Sequence, residues 1–360
     1  MGVSALLKVG VLLVIWVGAL VYPFHVINYG GNFLDFPGRP PDLFSHFQTW
    51  DAQFYLHIAR VGYSRGGLDD AFYPLFPLLI RTAAWPLGGN YLVAGLLLSN
   101  LFTLGAMALL FLVSVPRVGE RTAFYGCLFL LTFPLGFFLG LVYTESLFLF
   151  LVLLLFWGVS KGRPLPSIVG AYLAPLSRPT GLLLGLPIAV LAWKKKDKGS
   201  FLILAAWLAG ELSYWALMNG WTGDPFTGFT AQNLSIGHFS ILNLLHPWDW
   251  FTKNFFRTSF TWLAPGTSLL DRIYFVGFLG ILGLAWKELL FWERAYCLVL
   301  GLVPAVSGDL MSYGRYLLVL FPLFWVLSKR FVGREWIFWG TGILFQVYLI
   351  LRHSLNGFVA

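Results

Sequence analysis

The chain has 360 residues, of which 58% are hydrophobic and only 11% charged, and its mean hydropathy is +0.76; a soluble domain carries about a quarter charged residues, so these proportions exclude a soluble protein and point to a polytopic membrane one. The formal charge of +8 is no sign of nucleic acid, because the basic residues stand in short clusters between apolar runs, such as KKKDK at 194–198 and SKRFVGRE at 328–335, where they read as positive-inside topology signals. Cys127 and Cys297 lie far apart within apolar runs, which argues against a zinc site or a disulfide framework.

The first apolar run, 3–22, reads as a membrane helix rather than a secretory leader, since its only early charge is Lys8 and no A-x-A-like site follows. Further spans fall at 91–115, 123–142, 146–160, 165–177, 180–193, 200–219, 272–286, 295–308, 316–328 and 336–352. At about 20 apolar residues per crossing, the expectation is an all-α bundle of about eleven transmembrane helices, forming one integral membrane domain over 1–360. Several spans are short enough to need tilt or local thinning of the bilayer. With the N-terminus inside, the inner connections hold most of the 24 basic residues and a minority of the 16 acids, as the positive-inside rule demands. The segment AFYPLFPLLIRTAAWPLG, 71–88, is expected to lie in the interface, because Pro74, Pro77, Arg81 and Pro86 suit that place better than a straight crossing. Two long outer connections remain, about 23–90 and 220–271. Connections of that length are uncommon without a function.

The first long connection contains HFQTWDAQFYLHIARVGYS, 46–64. Thr49 or Asp51 can cap a short helix there, with Gly62 ending it. On that helix Asp51, Tyr55 and Ile58 share one face, and Trp50, Phe54, His57 and Val61 another. The aromatic face is expected in lipid, with Asp51 at the mouth of a cavity and its ionised form favoured by the helix dipole. Asp51 can be read as an N-cap alone or as a functional carboxylate; the residues by themselves leave both open.

WDAQFYLHIARVGY followed by DDAFYPLFPLLIR resembles the W-D-A-x-x-Y-x-x-I-A-x-x-G-Y and F-F-P-L-Y-P-L signature of the PIG-V type mannosyltransferases, a family of the GT-C superfamily. YTESLF at 143–148, LSRPTGLL at 176–183 and YGRYLLVLFPLFW at 313–325 agree in order. Phe72, Tyr73 and Phe76 stand where the family usually shows F-F and Tyr, a conservative departure. The resemblance implies a GT-C-like bundle with interfacial helices in a long first outer loop. It also implies transfer of a mannosyl or related hexosyl unit from a polyprenyl-phosphate sugar to a lipid or glycan acceptor on the non-cytoplasmic face. On that resemblance Asp51 is the candidate catalytic base, since a sugar hydroxyl is a poor nucleophile that a carboxylate within hydrogen-bond reach helps to attack C1. The leaving phosphate mainly needs cations, and a single displacement inverts the anomeric centre.

Arg178 and Arg315 stand at outer helix ends and are candidates to hold the donor phosphate, against the alternative that each snorkels to the interface. His57 is a further candidate donor to that phosphate, or a structural histidine. Glu145 opens a helix, where it serves either the site or the dipole; Asp69 and Asp70 are likewise substrate contacts or caps. Tyr55 and Trp50 flank Asp51. In the second long connection, GFTAQNLSIGHF and HPWDW supply Gln232, His238 and tryptophans, which suit sugar recognition as well as an aromatic belt. No metal-ligand spacing occurs. The expected partners are therefore the lipid-linked donor, which is a substrate rather than a cofactor, the acceptor and membrane lipids, with no nucleic acid and no resident cofactor. Alternatives are a protein O-glycosyltransferase of the same superfamily, or a lipid-linked sugar flippase or transporter. The latter favours paired repeats with broken helices, whereas here polar residues gather in the outer connections. Compact loops and the lack of an endoplasmic-reticulum retrieval tail favour a prokaryotic cell membrane.

Overall fold

The computed structural model describes residues 2–25, 42–234, 241–256 and 259–359. The apolar runs fold as helices. They are α1 Gly2–Val21, α2 Asp51–Val61, α3 Leu75–Ala84, α4 Tyr91–Val118, α5 Glu120–Thr132, α6 Glu145–Lys161, α7 Pro164–Leu173, α8 Thr180–Leu183, α9 Gly185–Lys195, α10 Lys198–Thr222, α11 Thr227–Leu234, α12 Pro247–Phe255, α13 Leu269–Ala285, α14 Phe291–Val306, α15 Tyr313–Leu317, α16 Phe321–Arg330 and α17 Glu335–Ser354. No strand occurs among the described residues, only one isolated bridge between Thr261 and Ser268.

Local chemistry sets the ends of these helices. Asn90 caps α4 by accepting the Val93 N–H at 3.1 Å, and Asp197 caps α10 through the Ser200 N–H at 2.7 Å. Gly162 ends α6 in the left-handed conformation, φ +63°, as glycine does without a steric penalty. The centre of the bundle is a stack in which α4 packs on α6, α6 on α7 and α7 on α10. Glycines permit the last two approaches: a Cβ on Gly170 would run into the Leu151 carbonyl, and one on Gly210 into the Tyr172 carbonyl. Close backbone contact at small residues is how helices associate where lipid supplies no hydrophobic drive. Around this stack α1 lies on α17, α16 on α5, and α9 on α14.

Among the described residues three helices are long and apolar enough to cross a membrane: Gly2–Val21, Tyr91–Val118 and Lys198–Thr222. Several of the other expected spans are divided. The run 123–142 leaves the helix at Phe133, whose ψ of 138° reflects the steric restriction that Pro134 places on the residue before it. It continues as a short 3-10 helix, Gly136–Gly140. The run 316–328 is split between α15 and α16, with Pro322 starting the second piece. Backbone out of regular structure at membrane depth must be buried in protein and find partners there, and this one does. Residues 135–149 are all buried. Gln346 of α17 donates to the Leu131 and Phe133 carbonyls at 3.0 and 2.8 Å. Asn100 and Thr103 of α4 donate to those of Gly140 and Leu139. The segment 71–88 forms α3 and a following 3-10 turn; α3 buries Phe76, Pro77, Ile80 and Ala84 against α4 and α2.

Candidate active site

Four chain segments remote in sequence converge where α2, α6 and α15 begin and where α7 gives way to α8. The broken backbone makes this possible. Leaving the helix at Phe133 lets the chain run through the buried turn 141–144 and start α6 at Glu145, in the interior rather than at a surface. Glu145 is wholly buried. Its Oε1 accepts from Arg315 Nε at 2.8 Å and lies 2.7 Å from Arg315 Nη2, with Arg178 Nη1 at 3.4 Å. Arg315 Nη1 reaches Asp51 Oδ2 at 2.7 Å. The Arg315 guanidinium therefore bridges two carboxylates. It also lies over the rings of Phe138 and Tyr143, 4.9 and 4.7 Å from their centroids. Arg178 sits over Tyr316 and Phe148. Aromatic faces are weakly negative, and they stabilise cations that water has left.

Two arginines and two carboxylates cancel in charge, as a buried cluster must if it is to offset its desolvation. Their hydrogen-bonding capacity is not exhausted. Glu145 Oε2 and Arg178 Nη1 are buried without a hydrogen-bond partner. Asp51, whose side chain is 32% exposed, has no protein partner on Oδ1 among the described residues. An acceptor, a donor and a partly exposed carboxylate oxygen thus have hydrogen-bonding capacity that the protein does not use. Groups of this kind in a native site call for a ligand or water.

The helix carrying Asp51 is held differently from its sequence expectation. Neither Thr49 nor Asp51 caps it; the N-cap position is Trp50, which makes no capping bond. The reason is that both candidate caps are taken, Asp51 by Arg315 and Thr49 Oγ1 by His353 Nε2 at 3.2 Å. Gly62 ends the helix, as its sequence suggests. The expected lipid-facing aromatic face is also partly docked on protein: Trp50 Nε1 donates to the Gly357 carbonyl at 3.2 Å, and Phe54 stacks on Phe72 with centroids 4.5 Å apart. Tyr55 is buried, with its hydroxyl 3.2 Å from Thr144 Oγ1, one residue before Glu145.

The other sequence candidates lie apart from these ion pairs. His57 stands about a third of a turn round α2 from Asp51 and takes no part in them. Asp69 Oδ2 accepts from the Ser64 N–H and hydroxyl at 2.7 and 2.9 Å, and Asp70 Oδ2 from Gly66 N–H and the Thr227 hydroxyl at 3.0 and 2.7 Å. Both acids are buried and tie the 62–71 loop to itself and to α11. Burial raises the Asp70 carboxyl above its ordinary value, against the lowering by its hydrogen bonds. Gln232 reaches the Ala71 carbonyl at 3.4 Å, within the same loop packing. His238 lies outside the described residues. Sequence reasoning passed over Tyr143, His353 and Asp271. Tyr143 stands two residues before Glu145 in YTES, but a histidine in the last turn of an apolar helix carries no signal of its own. Asp271 Oδ1 accepts the N–H of Gly314 at 3.1 Å, the residue before Arg315.

Residues 41–183 match the mannosyltransferase (PIG-V) family, a range that includes Asp51, Asp69, Asp70, Glu145 and Arg178 and stops short of Arg315. Among solved structures the chain is similar to ArnT from Cupriavidus metallidurans bound to undecaprenyl phosphate. The TM-score is 0.51 at 14% identity, over 94% of this chain and 62% of that one. At such identity the likeness is one of fold, and this chain spans less than two thirds of ArnT's length. No curated protein matches.

Proposed function

We propose that this chain is a multi-pass membrane glycosyltransferase of GT-C type, transferring a mannosyl or related hexosyl unit from a polyprenyl-phosphate sugar to a lipid or glycan acceptor. The observation that carries the reading is the Asp51–Arg315–Glu145 bridge with Arg178 beside it. It offers a carboxylate oxygen without a partner next to two guanidinium groups, one of them short of an acceptor. Asp51 Oδ1 takes the proton of the acceptor hydroxyl. The hydroxyl oxygen bonds to C1 of the sugar from the side opposite the phosphate, and the C1–O bond to the phosphate breaks with its electron pair. The polyprenyl phosphate that leaves gains negative charge, which Arg178 and Arg315 stabilise through geometry already fixed by Glu145 and the aromatic rings. One displacement inverts the anomeric centre.

Family similarity over 41–183 and the ArnT-like fold support this reading. So does polarity along the bundle: Glu145 and Lys161 mark opposite ends of α6, about 24 Å apart at 1.5 Å per residue, and the basic run Lys194–Lys196 closes α9. On the positive-inside rule the basic ends face the cytoplasm and the Asp51 cluster faces the other side, within a bundle of about eleven crossings. The test is transfer of radiolabelled mannose from polyprenyl-phosphate mannose to membrane lipid or glycan, comparing the native chain with Asp51→Asn. A general base contributes about 10²–10⁴-fold, so the variant is expected to lose at least a hundredfold while inserting normally. Equal transfer by both would remove Asp51 from the chemistry, and none by the native chain would reject mannose as the donor sugar.

A further inference from the structure

Trp50, immediately before Asp51, has φ +53° and ψ −128°, the first central position of a type II′ turn, which glycine normally fills. A tryptophan there is strained and persists only where the surroundings over-determine it. Those surroundings are residues 352–358. His353 Nε2 lies 3.2 Å from Thr49 Oγ1 and 3.3 Å from the Tyr143 hydroxyl, which itself donates to the Thr49 carbonyl at 3.1 Å. His46 Nδ1 donates to the Ser354 carbonyl at 2.8 Å. Trp50 Nε1 donates to the Gly357 carbonyl, and its ring meets Phe358 edge-on, with centroids 5.7 Å apart. Arg352 Nε in turn donates to the Phe358 carbonyl at 2.8 Å. His353 also packs edge-on against Phe138, 4.9 Å between centroids, the ring that lies under Arg315. The same imidazole therefore backs both members of the Asp51–Arg315 pair.

We propose that His353 is a positioning residue: through Thr49 and Tyr143 it holds the strained Trp50 turn so that Asp51 keeps one oxygen on Arg315 and presents the other to the acceptor. This rests on the reading of Asp51 given above. The geometry has a direct physical consequence. The Ala52 and Gln53 amides donate to the Thr49 and Trp50 carbonyls at 3.3 and 3.2 Å, so their protection from exchange reports on whether the turn stays closed.

Hydrogen exchange of the purified full chain in detergent micelles, read by mass spectrometry over residues 49–54 with α6 as internal reference, tests the proposal. His353→Ala is expected to speed exchange of those amides about tenfold, the size that follows from losing one or two buried hydrogen bonds in a locally opening unit. His353→Gln, which returns a side-chain amide to the same place, is expected to restore most of the protection. Thr49→Val, which deletes the hydroxyl partner of His353 and leaves the Tyr143 bond to the Thr49 carbonyl, should loosen the turn as His353→Ala does, and it decides the matter if His353→Ala does not fold. Unchanged exchange over 49–54 in either variant that folds overturns the proposal. In transfer assays His353→Ala is expected to lower kcat, leave the KM for the donor unchanged and be rescued by His353→Gln; a loosened turn with native kcat also overturns it. Should the native chain transfer no sugar, the glycosyltransferase reading fails on its own, and the exchange result still decides whether His353 fixes the turn.

Discussion

Glu145→Gln separates what holds the ion-pair cluster from what it does. Glutamine keeps the volume and one oxygen acceptor, so both Arg315 contacts, now at 2.8 and 2.7 Å, can persist as neutral-acceptor hydrogen bonds. The donor is still charged, so each bond keeps about 1.5 kcal/mol, the low end of the charge-assisted range, and what is lost is the attraction between the two ions. The change also leaves two buried guanidinium groups facing a single carboxylate. Breaking a buried pair costs about 3–5 kcal/mol, and the retained oxygen places this variant at the lower end, about 3 kcal/mol. In a chain of 360 residues about 1–2 °C of melting temperature accompany each kcal/mol, so a fall of about 3–6 °C is expected in thermal unfolding of the detergent-purified protein. Asp51→Asn should behave differently. The side chain is a third exposed and meets one guanidinium nitrogen, so it contributes no more than about 1 kcal/mol while carrying the chemistry. Glu145→Gln is thus the larger loss in stability and Asp51→Asn the cleaner loss in transfer. If Glu145→Gln melted within a degree of the native chain while Asp51→Asn fell by several degrees, Glu145 could not be the member that holds the cluster together.

Asp271 holds the Gly314 N–H through Oδ1, and its Oδ2 is buried without a partner. Asp271→Asn is expected to keep that bond and melt within about 1 kcal/mol of the native chain, whereas Asp271→Ala orphans a buried N–H at about 1–3 kcal/mol and lets Arg315 drift, lowering transfer as well. Melting curves of both variants check this. At Asp70 burial raises the carboxyl above 3.8, so the folded chain takes up its proton before the unfolded chain does; this group therefore adds stability as pH falls through the raised value toward 3.8. Asp70→Asn, uncharged at every pH, should abolish that pH dependence and carry the gain at neutral pH as well, as pH-dependent melting of the two proteins would show.

The parts of this architecture written locally are the parts legible in the sequence. Apolar periodicity and charge clusters mark α1, α4 and α10 without ambiguity, and Gly62 and Gly162 mark helix ends, because each depends on neighbours within a few residues. The motif around Asp51 and the arginines at 178 and 315 are likewise visible, since an ion inside an apolar chain stands out. What the sequence could not give is the partner of each. Asp51 reads as a possible N-cap because capping is a local option; it is released from that role by Arg315, 264 residues away. Thr49 is diverted by His353, 304 residues away. The expected span 123–142 is divided for a similar reason. Pro134 marks a possible kink in any apolar run, but whether the chain resumes its crossing or turns through the interior depends on who satisfies the freed carbonyls. Gln346, Asn100 and Thr103 do so here, and that turn is what sets Glu145 deep enough to bind two arginines at once. The break in the helix and the charge cluster are therefore one feature, and side chains that carry no chemistry themselves determine it.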